Sequence, residues 1–379
     1  MLDIKDYKAG SFTKQIAGYK SFSPENICHE WQISAPEINK LLSDANRYLG
    51  ELNGFSQIIP NIDFFISMHV VKEATKSSRI EGTQTSIEEA LLKKEDLDPE
   101  KRDDWEEVQN YIQAMNFAIE NLTKLPLSSR LLRKTHEIIL QGVRGKYKQP
   151  GEFRSSQNWI GGASLLDAVF IPPHHTEINA LMSDLEVFLN DDTLPVPDLI
   201  KIGIVHYQFE TIHPFLDGNG RIGRLIITLY LVSKGLLSKP TLYLSDFFER
   251  NKSLYYDNLM VVRTQNNLTQ WLKFFLVGVI ETSKNAVETL KMILALRERT
   301  EQQIIDELGK KIPNARKLLQ YLYAQPIITV IMAAEKLEVS QETANNLVKN
   351  FIKLGILKEL TGYKRNRIFE FEEYLKIFT

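Results

Sequence analysis

Twelve consecutive residues, His213-Pro-Phe-Leu-Asp-Gly-Asn-Gly-Arg-Ile-Gly-Arg224, bring together an imidazole, a carboxylate, a glycine-rich turn and two guanidinium groups. A neutral imidazole at His213 can take a proton from an attacking hydroxyl. Asp217 is placed to hold Mg²⁺ against phosphates. Gly218 and Gly220 let the backbone approach an anion with no Cβ in the way, and Asn219 sets an amide beside them. Arg221 and Arg224 are spaced to share a face in a first helical turn, where they can grip two different phosphates. These residue types together point to transfer of a nucleotide.

Such side chains need a helix that starts at the glycines. Leu225 to Val232 is almost wholly apolar and runs on to Gly235, which predicts a buried helix too short to cross a membrane. The first N–H groups of a helix have no internal partner and carry the positive end of its dipole, so they face any anion in the loop. Asp-Gly-Asn-Gly alone also reads as an ordinary turn, and it is the flanking residues that favour a site. A calcium loop fails, because Arg221 stands where an oxygen ligand belongs, Ile222 replaces the required glycine and Thr228 the closing glutamate. Neither a Gly-x-x-x-x-Gly-Lys-Ser/Thr run nor a kinase His-Arg-Asp set occurs in the chain.

His213 to Arg224 resembles, at every fixed position, the His-x-Phe-x-Asp/Glu-Gly-Asn-Gly-Arg-x-x-Arg signature of the Fic family. The resemblance implies an all-helical core and a protein adenylyltransferase, which moves AMP from ATP to a Ser, Thr or Tyr hydroxyl of a target protein and releases pyrophosphate. It implies His213 as the catalytic base, Asp217 as the Mg²⁺ ligand and Phe215 as a buried anchor. Gly218, Asn219, Gly220 and Arg221 would cradle the α- and β-phosphates and Arg224 the γ-phosphate, with Ile222 and Gly223 counted in the same nucleotide-binding stretch. Upstream, Ser77-Ser78-Arg79-Ile80-Glu81-Gly82 resembles the family's Ser/Thr-x-x-x-Glu-Gly/Asn inhibitory motif. By itself it also reads as a solvated helix end capped by Gly82. Beside the signature it implies that Glu81 reaches Arg224 and occupies the γ-phosphate's space.

Asp167-Ala168-Val169-Phe170-Ile171-Pro172-Pro173-His174 reads as an exposed hairpin edge that ends at Pro-Pro. It is either an ordinary surface hairpin or, by resemblance, the family's flap, which would pair with an extended stretch of the target; Ala168 and Val169 are counted with the nucleotide-binding residues. Tyr255, Tyr256 and Arg263 lie in a helix-like segment that in similar proteins flanks the adenine. Adjacent tyrosines on a helix point in different directions, so one of the two belongs to the core.

The 379 residues carry 46 Lys and Arg against 48 Asp and Glu, a formal charge of −2 that gives no global pull toward nucleic acid or an anionic membrane. Cys28 is the only cysteine, so no internal disulfide is possible. The first residues have no apolar signal core and no apolar run reaches spanning length, so a cytoplasmic location is expected.

Breaks fall at Pro60, Leu125-Pro126-Leu127, Pro150-Gly151, Pro195-Val196-Pro197 and Lys239-Pro240. The expected fold is mainly α: a Fic-type helical bundle with a short β-hairpin flap and a small C-terminal winged-helix domain. Three parts are expected: residues 1–100, an N-terminal helical region with the inhibitory motif; 101–281, the catalytic core; and 282–379, a linker helix and the winged helix. In the last part Ala315 to Ala324 and Val330 to Leu337 read as helices, Ser340 caps a third that ends at Gly355, and Ile356 to Leu360 with Arg367 to Phe371 read as two strands. Glu342, Lys349 and Lys353 leave the third helix nearly neutral, and only Lys364, Arg365 and Arg367 make the wing basic. Protein contact or homodimer packing is therefore favoured over DNA. The alternative function is a DNA-binding regulator with the Fic core as nucleotide sensor, and the intact His213 argues against it.

Overall fold

The computed structural model describes residues 1–59, 62–142, 145, 147–362 and 367–378, so Pro60, Lys364 and Arg365 lie outside the described residues. The chain does not open on helices, as the sequence led us to expect. Leu2–Asp3 (β1) pairs in parallel with Trp31–Gln32 (β4), and between them Gly10–Lys14 (β2) and Lys20–Pro24 (β3) form an antiparallel hairpin. Gly10 (φ +143°) is required there, because a Cβ would come within 2.2 Å of the Ser23 carbonyl. The polar, short-stepped sequence between Gly10 and Pro24 gives helical periodicity nothing to act on.

Helices follow: Pro36–Ile58 (α1), Ile62–Glu81 (α2), Ile87–Leu91 (α3), Arg102–Asn121 (α4) and Ser129–Ile139 (α5). After a long loop come Ile178–Asn190 (α6), Asp198–Ile212 (α7), Asn219–Ser233 (α8), Ser245–Arg250 (α9), Lys252–Gln265 (α10) and Leu268–Leu308 (α11). Helices α7 and α8 are the centre of the molecule, with Leu199 to Ile212 and Asn219 to Leu231 all buried. His206 on α7 knits the middle together by bonding the Gly223 carbonyl of α8 (2.8 Å) and the Tyr255 hydroxyl of α10 (2.9 Å).

No break occurs near Thr282. Helix α11 runs 41 residues through the expected boundary of core and linker. Helix α1 lies along it in the same direction, with Glu37 on Lys273 (2.8 Å) and Lys284 over the Tyr48 ring (4.2 Å). That partner helps bury Ser283, Ala286, Val287 and Leu290, so packing overrides the weak helix preference of Thr282 and Ser283.

Beyond α11, the helix Ile312–Ala324 (α12) leads to Ile327–Thr329 (β5), Val330–Leu337 (α13), Gln341–Lys353 (α14), Lys358–Glu359 (β6) and Ile368–Glu370 (β7), the strands ordered β5-β7-β6. The Thr329 hydroxyl caps α13 at Met332 N, that of Ser340 caps α14 at Thr343 N, and Gly355 (φ +72°) follows the end of α14. Among the described residues, no helix is long and apolar enough to cross a membrane.

Candidate active site

Helix α7 ends where His213 turns left-handed (φ 50°, ψ 61°), an uncommon backbone for a residue with a Cβ. The loop then folds around Phe215, which is fully buried with its ring stacked on His136 at 3.8 Å. Asn219 clamps the loop: its Oδ1 accepts the Phe215 N–H and its Nδ2 donates to the Phe215 carbonyl, each at 2.8 Å. The His136 Nδ1 accepts the Gly151 N–H (2.9 Å), so the ring proton sits on Nε2 and is donated to the Asp217 carbonyl (3.0 Å). Burial pushes this imidazole down to about 4, keeping it neutral.

Arg154 is the other brace. It is buried and makes no ion pair among the described residues; instead it donates to the carbonyls of His213 (3.0 Å), Pro173 (2.7 Å), Ser156 (3.1 Å) and Ile212 (3.4 Å). Asn158 adds bonds to the carbonyls of Phe215 (2.9 Å) and His213 (3.4 Å). Neither residue carries a motif, and sequence reading passed over both, as it did His136.

A cavity of about 530 Å³ opens in front of the α8 N terminus. His213, Gly220, Arg224 and Glu81 form one end; Tyr256, Leu259, Met260 and Val169 are among the lining residues elsewhere. Arg224 Nη2 meets Glu81 Oε1 at 2.6 Å, while its Nε donates to the Ser77 hydroxyl (2.8 Å) and Nη2 also to the Ser77 carbonyl (3.0 Å). The fork lies hard against Gly220, where a Cβ would sit 2.2 Å from the Glu81 carboxylate and 2.8 Å from Arg224. Burial would raise Glu81, but Arg224 outweighs it and holds the carboxyl below its ordinary range. The Glu81 side chain is still 36% exposed, through the cavity it lines, so an incoming group can reach it. Burial, reinforced by Arg154 and Arg263, pushes His213 down to about 3, so its imidazole is neutral at physiological pH, and Nδ1 has no hydrogen-bond partner among the described residues.

The expected residues divide. His213, Gly220, Arg224, Glu81, Val169, Tyr255, Tyr256 and Arg263 share the cavity. Asp217 and Arg221, 3.7 Å apart, instead line a separate small hollow together with Glu107. Ile222 is a core residue, fully buried, and Gly223 gives its carbonyl to His206. The Asn219 amide is spent on Phe215, which leaves only its backbone for a ligand, and Gly218 (φ +74°) packs near His136. Ala168 stays outside the cavity lining. Tyr255 is the core member of the tyrosine pair, stacked on Phe248 at 4.5 Å, while Tyr256 is 40% exposed. Arg263 bonds Thr211 Oγ1 (3.1 Å) and the Glu210 carbonyl (3.0 Å) and lies over the Phe170 ring (4.0 Å).

The flap is no regular hairpin edge. It closes on one bridge, Ile160 with Phe170, and the Ile171 carbonyl already accepts the Phe22 N–H of β3 at 2.9 Å. Asp167, at its tip, caps the N–H groups of Ala163 (2.8 Å) and Ser164 (2.7 Å), which favours a tight turn over a longer ladder.

The helical bundle built around α7 and α8 is similar in fold to two solved structures. One is a Fic family protein from Desulfovibrio desulfuricans G20 (TM-score 0.55, 20% identity, covering 89% of this chain and 96% of that one). The other is a Fic domain containing signaling protein from Bacteroides thetaiotaomicron (TM-score 0.52, 20% identity, 66% and 96%). Residues 39–120 match the Fic/DOC family N-terminal region and residues 126–231 the Fic/DOC family, so the chain carries a Fic N-terminal and a Fic domain. Protein adenylyltransferase Fic of Aedes aegypti is 30% identical over 125 residues, 33% of this chain and 22% of that protein. A probable protein adenylyltransferase of Aquifex aeolicus is 29% identical over 187 residues, 47% of this chain and 52% of that protein. The chain thus spans about a fifth to a half of the length of these relatives.

Proposed function

We propose that the protein transfers AMP from ATP to a Ser, Thr or Tyr hydroxyl of a target protein, releasing pyrophosphate, and that Glu81 restrains it. The observation that carries this reading is the 2.6 Å Arg224–Glu81 pair pressed against Gly220, in the same cavity as a neutral His213. A carboxylate at a helix N terminus stands where a phosphate would be most stabilised, and it takes the arginine that a phosphate would use. The relatives' names support the reaction class.

In this reading the phosphates of ATP enter along the α8 N terminus, and His213 takes the proton of the incoming hydroxyl as oxygen attacks the α-phosphorus. Arg221, Arg224 and the first N–H groups of α8 offset the charge on the phosphate oxygens and on departing pyrophosphate. Among the described residues no three His, Cys, Asp or Glu side chains surround a metal position. Asp217 nonetheless fits Mg²⁺, which is commonly held by one or two carboxylates with phosphate oxygens and water: its side chain is 48% exposed beside the helix N terminus. Bound there, Mg²⁺ would share the task of neutralising phosphate charge.

The C-terminal module gives the DNA reading little support. Arg367 grips Glu359 through both Nε and Nη2, and Lys358 bonds Glu372 at 2.7 Å, so these cations are already paired. Labelled ATP with Mg²⁺ tests the proposal: the Glu81→Gly variant should label itself or lysate proteins well above the wild type. Equal labelling, with both proteins folded, would refute the restraint; no labelling by either would refute the transferase.

A further inference from the structure

Glu210 stands in the wall of the central cavity, on α7 one turn before His213, and the transfer chemistry above makes no use of it. It is 7% exposed, and its Oε1 is buried with no hydrogen-bond partner among the described residues. Its surroundings fix its place. The Glu210 carbonyl accepts Arg263 Nη2 of α10 at 3.0 Å, and its Oε1 lies over Gly223 of α8, 2.2 Å from where a Cβ would stand. Glu210 therefore sits on the seam of three helices. Helix α8 brings Gly220 and Arg224, the groups suited to phosphate, and α10 brings Tyr256, Leu259 and Met260, the groups suited to an aromatic base.

A buried carboxyl with an unpaired oxygen is costly; Oε1 itself is sealed against Gly223, so a ligand hydroxyl would meet the carboxyl from the cavity that Glu210 lines. Between the phosphates and the base of a nucleotide lies the ribose, whose 2′- and 3′-hydroxyls are donors that a carboxyl can accept. We propose that Glu210 receives the ribose hydroxyls of the bound nucleotide and makes the cavity select ribonucleotides over their deoxy counterparts. The inference rests on the nucleotide reading given above and adds the sugar to it. Burial raises the Glu210 carboxyl to about 7, and the neutral acid could still pair with a diol as both donor and acceptor. A pocket built to bond a hydroxyl rejects the analogue that lacks it far more strongly than an apolar pocket rejects a missing methylene, because the pocket's own polar group is left unpaired.

The test is calorimetric binding of ATP, 2′-deoxy-ATP and 3′-deoxy-ATP to the full chain carrying Glu81→Gly, alone and combined with Glu210→Ala or Glu210→Gln. The parent should bind ATP roughly ten- to a hundredfold more tightly than at least one deoxy analogue, the range of one hydrogen bond to a charged group. Glu210→Ala should bring that ratio close to one, and Glu210→Gln, which keeps an acceptor, should restore part of it. A merely structural role would weaken all three nucleotides alike and leave the ratio where it was. A parent that binds all three equally, or an Ala variant that keeps the parent's ratio, overturns the assignment while leaving nucleotide binding in place. Absence of binding by ATP itself overturns the nucleotide reading and the assignment with it. Should the Ala variant not fold, the parent's ratio and that of the Gln variant still decide.

Discussion

The signature loop and the flap both border the central cavity and are built in opposite ways. In the loop, the His213 carbonyl is held by Arg154 and Asn158, Phe215 by Asn219 in both directions, and the Asp217 carbonyl by His136. The flap closes on the single Ile160–Phe170 bridge with a turn tied by Asp167, and beyond the bridge Leu166 and Val169 are 91% and 66% exposed. A network of buried hydrogen bonds fixes one geometry cooperatively, whereas a segment with one bridge and exposed side chains opens at small cost. The contrast fits the roles proposed for the two: chemistry fails when groups are misplaced by an ångström, while a surface that meets a partner can adapt.

The largest effect should come from the loop's one chemical group. His213→Ala should lower AMP transfer roughly 10²- to 10⁴-fold, the usual contribution of a general base, while ATP affinity stays within a few-fold. Labelling and calorimetry separate the two, and a large loss of ATP binding would assign His213 to the phosphates instead. Next is the fork. In the Glu81→Gly background, whose gain should be roughly ten- to a hundredfold for one charged hydrogen bond, Arg224→Ala should remove most of that gain. Labelling of all four proteins, with the two changes acting independently, would show that they do not meet.

The brace can be tested through pH. His136 is neutral in the native protein at about 4 and protonates at 6.5 when free, so its contribution is complete above 6.5 and is lost as pH falls toward 4. The difference in unfolding free energy between wild type and His136→Gln should narrow by up to about 3 kcal/mol from pH 7 to pH 4. A difference constant over that range would show that the ring is not held as the loop's brace. The smallest effect belongs to the flap: Val169→Ala should change stability by less than about 0.5 kcal/mol and leave ATP affinity alone, any loss appearing in transfer to a protein target. A drop in melting temperature as large as that of a loop mutant would erase the contrast between the two segments.

What could be read in advance follows the same division. The cavity residues His213, Gly220 and Arg224 lie in one contiguous run and were legible, and Glu81 became so once its own short motif stood beside them. The three helices after Ile312 and the strands β6 and β7 were legible too, because Ser340 and Gly355 are local signals of a start and a stop, whereas β5 was not foreseen. Arg154, Asn158 and His136 were not: each reaches a carbonyl 55 to 81 residues away, and a backbone oxygen leaves no mark on the sequence that predicts its partner. The run of α11 through Thr282 was hidden for a similar reason, since it depends on α1 lying alongside. In the first 35 residues the strands are short and mostly polar, and neither periodicity stands out.

Helix α2 touches two places at once. Near its start Phe65 meets Tyr323 edge-on at 5.6 Å and His69 meets Phe378 at 5.4 Å, both in the C-terminal module; at its end Glu81 holds Arg224. A rigid helix of this kind makes the module and the cavity terms in a single thermodynamic cycle. If a ligand of the module binds more weakly by some factor once α2 has shifted, then a nucleotide that needs the shift must bind more weakly, by that same factor, when the ligand is present. Titrating the module with and without nucleotide is thus a way to read the active site from the far end of the helix.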